Sequence, residues 1–131
     1  NSILKQFIKH LTVGDNEVAL LDMEAGVEHF GRGVDNSVDL ILMIVDPSFE
    51  SLKLTKKIQQ LGESIGKPVF FVLNKVNELV LPTMLESIDD QSKVLAVIST
   101  DTEIARKGLV GDELMMEIPE IHMLARKILK K

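Results

Sequence analysis

The chain has 131 residues and a formal net charge of −5, and 45% of its residues are hydrophobic. This length suits one domain with a buried core, and the acidic balance argues against a general surface for nucleic-acid phosphates. No apolar run reaches the roughly 20 residues that a membrane-spanning helix needs. Because cysteine is absent, disulfides and thiolate metal sites are excluded within these residues, which fits a reducing compartment. We therefore expect one cytoplasmic domain, residues 1–131, that binds no nucleic acid and spans no membrane.

Four short apolar runs alternate with amphipathic segments, beginning after a predicted helix over 3–11. Each run is almost entirely apolar instead of alternating, which is typical of strands covered on both faces. Helices between the strands imply crossover connections and a mainly parallel sheet. The sequence therefore predicts a three-layer α/β/α fold, with strands at 18–21, 40–45, 69–73 and 94–98.

The clearest predicted helix covers Phe49–Ile65, with Ser48 as its N-cap and Gly66 at its end. A second helix is predicted over 77–88, where Pro82 forces a late start or a kink. The segment 120–131 combines one apolar stripe with basic residues in its last turns. We expect that stripe to pack on the sheet and not on a membrane surface.

Polar residues follow the end of every predicted strand. Because the carboxyl ends of parallel strands meet at one edge of the sheet, where ligands gather, these residues predict a ligand site there. They are Asp22, Met23, Glu24, Ala25 and Gly26 after the first strand, Asp46, Pro47 and Ser48 after the second, Asn74 and Lys75 after the third, and Ser99, Thr100 and Asp101 after the fourth.

The acid after the first predicted strand fits two interpretations. Asp22 can hold a magnesium-bound water through its carboxylate, and Gly26, which lacks a Cβ, can let a backbone N–H approach a phosphate. Alternatively, Asp22 caps a helix and Gly26 simply turns the chain. A weaker candidate is an acid–base or metal relay formed by His29 with Glu24 and Glu28.

The residues after the other strands are also open to two interpretations. The Asn74 amide can both donate to and accept from a purine edge, but an asparagine in a turn followed by a solvated lysine explains the same dipeptide. The segment 46–48 is interpreted mainly as the start of the following helix.

Two runs of the sequence resemble a known family of ATPases. These runs are Leu-Asp-Met-Glu-Ala-Gly-Val-Glu-His-Phe-Gly-Arg-Gly over 21–33 and Val-Asp-Pro-Ser-Phe-Glu-Ser-Leu over 45–52. They are similar to the nitrogenase-iron-protein/MinD/ParA group of P-loop ATPases. Most of that group has a proline at the position of Glu24. The acidic residue followed by Glu-His-Phe-Gly-Arg-Gly resembles the branch that inserts nickel during carbon monoxide dehydrogenase maturation.

The resemblance implies a role for each part of the predicted site. Asp22 would position Mg²⁺ through water, within a switch that includes Glu24, Ala25 and Gly26, and Gly26 would sense the γ-phosphate of ATP. Asn74, with Lys75 beside it, would contact adenine. A second adenine-flanking loop would contain Ser99, Thr100 and Asp101, although the family usually has a proline at the position of Ser99.

The resemblance also implies that parts of the ATPase lie outside this chain. The glycine-rich loop with its lysine is absent, and so is the cysteine pair that would bind nickel or zinc across a homodimer upstream of Asn1. We therefore expect this C-terminal part to be inactive alone, and the parent to serve carbon monoxide dehydrogenase or another metalloenzyme. In the family, the strand of the missing loop lies between the strands that end at Asp22 and Asp46. We expect those two strands to pair directly or to recruit another chain.

Three alternatives remain open from the sequence. The parent is a MinD/ParA-type partitioning or positioning ATPase, or the chain is a non-catalytic receiver-like signalling module in which Asp22 or Asp46 accepts phosphate and Lys75 reads it. The third alternative is a plain interaction domain.

Overall fold

The computed structural model describes residues 2–23 and 37–131. No helix in these two ranges is long and apolar enough to cross a membrane. The regular elements are the helices α1 (Ser2–His10), α2 (Phe49–Ile65), α3 (Leu81–Glu86), α4 (Thr102–Val110) and α5 (Pro119–Leu129), the strands β1 (Ile41–Val45), β2 (Val69–Val76) and β3 (Val94–Ser99), and a 3₁₀ turn at Gln91–Lys93.

The three strands form one parallel sheet in the order β1-β2-β3. Ile41 lies opposite Val69, and this register continues without interruption along β1. Between β2 and β3 the register shifts twice, once near the start of β2 and once between Leu73 and Val76. The second shift lies at the carboxyl edge, where the predicted site residues are.

Helices cover the two faces of the sheet, as predicted. On one face α2 and α3 pack on β1 and β2, with Ile58, Phe71 and Met84 at the centre of this layer. On the other face Leu124 of α5 packs against Phe70, Val72 and Leu95. The predicted α/β fold with a parallel sheet between helical layers is therefore confirmed. Of the predicted stripe of α5, Leu124 and Ile128 pack on the sheet, whereas Ile121 and Leu129 are exposed.

Local sequence signals set both ends of α2. The Ser48 hydroxyl accepts a hydrogen bond from the Ser51 backbone N–H at 3.2 Å, which satisfies one of the free donors of the first turn. Gly66 ends the helix in the left-handed conformation, with φ of 67°, where a residue with a Cβ would be strained. The predicted bounds and both caps of this helix are confirmed.

The prediction of a first strand at 18–21 is wrong. These residues are irregular in the structure, and the side chains of Val18 and Leu20 are 57% and 85% exposed. A strand persists only when a neighbour takes up its backbone hydrogen bonds, and no described strand pairs with this segment. The expectation that it pairs directly with β1 is wrong for the same reason.

Two other elements differ from prediction. The helix predicted over 77–88 is shortened to Leu81–Glu86, because the Asn77 side chain accepts hydrogen bonds from the Leu79 and Val80 N–H groups and forms a turn first. The segment 102–110, for which no helix was predicted, forms helix α4. Asp101 is its N-cap and Gly111 its C-cap. Both residue types are common at helix ends, so the sequence did contain signals for this helix.

Candidate functional site

Three polar side chains meet at the carboxyl edge of the sheet. Asp46 directly follows β1, and Asn74 and Lys75 belong to the last residues of β2, which extends past the predicted end at 73. Asn74 Nδ2 donates to Asp46 Oδ1 at 2.9 Å, and Lys75 Nζ donates to Asp46 Oδ2 at 2.6 Å. One carboxylate therefore holds two consecutive side chains of the neighbouring strand. We call these three residues the edge cluster.

The backbone of Lys75 explains how both side chains reach the same carboxylate. Successive residues of a strand point to opposite faces of the sheet, so Asn74 and Lys75 would diverge in a regular strand. Lys75 instead has a φ of 55°, the one positive φ outside glycine in the described residues. A left-handed residue other than glycine costs roughly 1–2 kcal/mol, and such strain is common at functional sites.

The start of α2 fixes the backbone of Asp46. The Ser51 hydroxyl accepts a hydrogen bond from the Asp46 N–H at 3.1 Å, while the Ser51 N–H donates to Ser48. The Ser48 N–H in turn donates to the Asp46 carbonyl at 2.8 Å. The interpretation of this segment as a helix start is correct, but the contacts of Asp46 with Asn74 and Lys75 were not predicted. The signal that could have revealed Asp46 is an acid at a strand end beside a neighbouring Asn-Lys.

The tip of β3 lies beside that of β2. Ser99 is paired with Val76, and the Thr100 N–H donates to the Val76 carbonyl at 2.9 Å. Ser99 and Thr100 are exposed. The Asp101 carboxylate accepts from the N–H groups of Glu103 and Ile104 at 2.8 and 3.0 Å, so it serves as the N-cap of α4.

A shallow cleft of about 220 Å³ opens between this tip and the start of α5. It lies below the roughly 300–1,000 Å³ usual for ligand pockets, so it has room for only part of a nucleotide-sized ligand. Its lining comes from two stretches, Ile98, Ser99, Thr100, Asp101 and Ile104 on one side and Met116, Glu117, Ile118, Pro119 and Glu120 on the other.

The predicted magnesium and phosphate residues are not assembled by the part of the chain that the structure describes. Asp22 is exposed in an irregular segment, and Glu24, Ala25, Gly26 and His29 lie outside the described residues. No group of three or more potential metal-ligating side chains occurs within 2–23 and 37–131. Mg²⁺ is commonly bound by one or two carboxylates together with phosphates and water. Asp22 alone therefore fits Mg²⁺ only as one ligand beside a nucleotide.

No model of a known protein family matches the chain, but individual curated proteins do. An uncharacterised ATP-binding protein of Methanocaldococcus jannaschii is 46% identical over 120 residues, covering 92% of this chain and 48% of that protein. The carbon monoxide dehydrogenase accessory protein CooC of Rhodospirillum rubrum is 31% identical over 112 residues, covering 85% of this chain and 43% of that protein. Another uncharacterised ATP-binding protein of M. jannaschii is 32% identical over 136 residues, covering 98% and 51%.

The chain spans about half the length of the curated relatives it matches. Over that half, it is homologous to proteins named for ATP binding and to a carbon monoxide dehydrogenase accessory protein. The resemblance to an ATP-binding family related to that accessory protein is therefore confirmed at this level.

Proposed function

We propose that the chain supplies the base-binding side of an ATP site in a maturation factor for carbon monoxide dehydrogenase or a related metalloenzyme. The similarity to relatives named as ATP-binding proteins, over nearly the whole chain, carries this proposal. The edge cluster supports it, because a preorganised amide at the carboxyl edge of a parallel sheet suits a nucleotide base.

In this proposal Asn74 contacts adenine, and Lys75 holds Asp46 beside it. Ser99 and Thr100 flank the base from the neighbouring strand tip, and Asp101 starts the helix behind them. These positions follow the strand order β1-β2-β3, which brings the tips of β2 and β3 side by side.

The phosphate side is proposed from the sequence resemblance. Asp22 positions Mg²⁺ through a water molecule, and Glu24, Ala25 and Gly26 form the switch, with the Gly26 N–H at the γ-phosphate. Bound Mg²⁺ would neutralise developing charge on the phosphates. Phosphoryl transfer also needs a phosphate-binding loop and its lysine, and the sequence from Asn1 to Lys131 contains no such loop. We therefore propose that residues 1–131 alone bind ATP weakly and do not hydrolyse it.

We further propose that the maturation factor inserts nickel and forms a homodimer. Both properties rest on the run Glu-His-Phe-Gly-Arg-Gly over 28–33 and on the similarity to the accessory protein of R. rubrum. Nickel or zinc would bind at a dimer site outside this chain, which contains no cysteine. Nickel-dependent dimerisation of the protein at the length its gene encodes separates this role from that of a partitioning or positioning ATPase.

Calorimetric titration with Mg-ATP tests the base contact. We expect the protein at its encoded length to bind ATP and Asn74→Ala to bind it about tenfold more weakly, the loss of one or two hydrogen bonds. The matched control is Asn16→Ala, which removes an exposed asparagine in a turn that is distant from Asn74 in the sequence. Equal affinity of the two variants contradicts the role of Asn74, and robust hydrolysis by residues 1–131 contradicts the proposed inactivity.

A second candidate, a receiver-like module, is favoured by one observation. Lys75 Nζ lies 2.6 Å from the Asp46 carboxylate at neighbouring strand tips, an arrangement that would stabilise a phosphorylated aspartate. Incubation with acetyl phosphate tests it: the phosphoryl group would pass to an Asp46 carboxylate oxygen and acetate would leave. Mass spectrometry that finds no added phosphoryl group on Asp46 removes this candidate.

A further inference from the structure

We infer that Asp46 is a positioning residue that makes the site select a 6-aminopurine over a 6-oxopurine. It does so by holding the Asn74 amide in one of its two flipped orientations. This inference rests on the proposed function, in which Asn74 contacts the base, and it adds the residue that determines which base is accepted.

The orientation of the amide follows from the chemistry of its partner. An ionised carboxylate only accepts hydrogen bonds, so the group of Asn74 that faces Asp46 must be the Nδ2 donor and not Oδ1. The observed distance of 2.9 Å from Nδ2 to Oδ1 of Asp46 agrees with this orientation. Among the described residues, no donor contacts Asn74 Oδ1. The amide therefore keeps its oxygen and its second Nδ2 hydrogen for a ligand.

That remaining edge matches adenine. Adenine presents a donor at its 6-amino group and an acceptor at N7, which an asparagine amide can bind together through its oxygen and one hydrogen. A 6-oxopurine presents acceptors at both positions. It would set its oxygen against Asn74 Oδ1 and keep only the hydrogen bond to N7. A flipped amide would donate to that oxygen but would set Oδ1 against N7. A 6-oxopurine therefore makes one of the two hydrogen bonds in either orientation, whereas adenine makes both only in the unflipped one. Asp46 disfavours the flip because the flip would set Oδ1 against the carboxylate.

Lys75 strengthens this arrangement from the other side of the carboxylate. Its Nζ lies 2.6 Å from Asp46 Oδ2, so the two oxygens of Asp46 have different partners and rotation of the carboxylate would break both contacts. The positive φ of Lys75 is the conformation that lets adjacent side chains share this acceptor. The left-handed backbone of Lys75 and its ion pair with Asp46 therefore both help to fix the orientation of the Asn74 amide.

The test compares ATP with inosine triphosphate, whose base carries a 6-oxo group. In Asp46→Asn the new amide turns its oxygen to the Lys75 ammonium, which can only donate, and its N–H groups to Asn74. The flipped orientation of Asn74 is then favoured, and it mismatches adenine at both positions, whereas a 6-oxopurine keeps one hydrogen bond. We expect the preference for ATP over inosine triphosphate, measured by calorimetry at the encoded length, to fall about tenfold. Asp89→Asn makes the same charge change at an exposed loop residue and should leave the preference unchanged. A merely structural role of Asp46 would weaken both nucleotides equally.

The outcomes are distinguishable. If the unaltered protein binds neither nucleotide, the proposed function fails and this inference fails with it. If it prefers ATP and folded Asp46→Asn keeps the full preference, this inference alone is overturned. If Asp46→Asn does not fold, hydrogen exchange of the Asn74 side chain in the unaltered chain decides. One Nδ2 hydrogen should exchange more slowly than the other, and equal exchange overturns the inference.

Discussion

At the scale of single residues, the edge cluster shows how a strained backbone is held by side-chain contacts. Lys75 adopts a left-handed conformation, which is energetically unfavourable for any residue with a Cβ. Its ion pair with Asp46 is partly exposed, with side-chain exposures of 63% and 39%, so the pair contributes at most about 1 kcal/mol. The energetic cost of the left-handed backbone and the stabilisation by the ion pair are therefore of similar magnitude and opposite sign.

This balance predicts different outcomes for two substitutions of Lys75. Lys75→Ala loses the ion pair and keeps the strain, so we expect a loss of about 1 kcal/mol in the free energy of unfolding. Lys75→Gly loses the same pair but relieves the strain, so its stability should exceed that of Lys75→Ala by about 1 kcal/mol. Urea denaturation measures both variants. Equal stability of the two would show that position 75 is not left-handed in solution.

Asp90 provides a prediction about pH. The hydrogen bond from the Ser92 hydroxyl, followed by that from the Ser92 N–H, lowers the pKa of this carboxyl below its ordinary value. A lowered folded-state pKa adds stability above the unfolded-state pKa, and that stability is lost as the pH falls through the folded value. An NMR titration should show a higher pKa for Asp90 in Ser92→Ala than in the unaltered chain. An unchanged pKa would contradict the assigned cause.

At the scale of elements, α2 is tied to its surroundings by a close approach and by one buried hydroxyl. A Cβ at position 62 would clash with Val69 Cγ2 and would lie 2.8 Å from the Lys67 carbonyl oxygen. Thr55 is fully buried, and its hydroxyl is 2.9 Å from the Ser87 carbonyl just after α3. Both contacts join α2 to other segments of the chain, and the spacing of apolar residues within α2 does not predict either of them.

Two glycine-to-alanine substitutions should change stability in opposite directions. Gly62→Ala forces the backbone at Lys67 and the side chain of Val69 to shift, and we expect a loss of about 1–3 kcal/mol. Gly108→Ala lies in α4, where a Cβ meets nothing within 4 Å, so higher helix propensity should add about 0.5–1 kcal/mol. Thermal unfolding followed by circular dichroism compares them. A stabilised Gly62→Ala would contradict the close packing of α2 on β2.

Thr55 tests the link between α2 and the end of α3. Thr55→Val keeps the shape of the side chain but leaves the Ser87 carbonyl without this donor, so we expect a loss of about 1–2 kcal/mol. Thr55→Ser keeps the hydroxyl and is the matched control. Hydrogen exchange should show faster exchange of the Ser87 and Ile88 amides in Thr55→Val only. The same increase in both variants would indicate a packing effect.

At the scale of the whole molecule, the sheet has an outer edge that the described residues leave open. β1 pairs with β2 on one side, and no described strand pairs with its other side. Ile44 on this strand is 52% exposed beside the fully buried Val72. An open strand edge with apolar side chains favours pairing with another chain. The expectation that this edge recruits a partner therefore stays a prediction.

Residues 1–131 should associate through β1 as their concentration rises. Ile44→Lys places a charge on the open edge, which opposes strand pairing, and it should keep the chain monomeric. Leu109→Lys is the control, because Leu109 is 87% exposed and belongs to helix α4, not to a strand. Analytical ultracentrifugation measures the mass of each variant. A monomer at every concentration for the unaltered chain would contradict the prediction.

Elements whose signals are local were predictable from the sequence. The helix Phe49–Ile65 was predicted with both caps because Ser48 and Gly66 act on the backbone within one turn. The strands of the parallel sheet were predicted within a few residues because each is a continuous apolar run, and that of β2 is buried from Val69 to Leu73. The same apolar pattern at 18–21 led to a wrong prediction, since a run of apolar residues does not specify which strand, if any, lies beside it.

The sequence by itself therefore determined the fold class, its helical layers, and the kinds of side chain that stand at the carboxyl edge. Only the tertiary structure joined Asp46 to Asn74 and Lys75, which lie 28 and 29 positions further along the chain. That contact requires the parallel pairing of β1 with β2 and a left-handed residue at 75. Local pattern cannot specify either, because both arise from contacts between residues distant in the chain, and those contacts outweigh local preference.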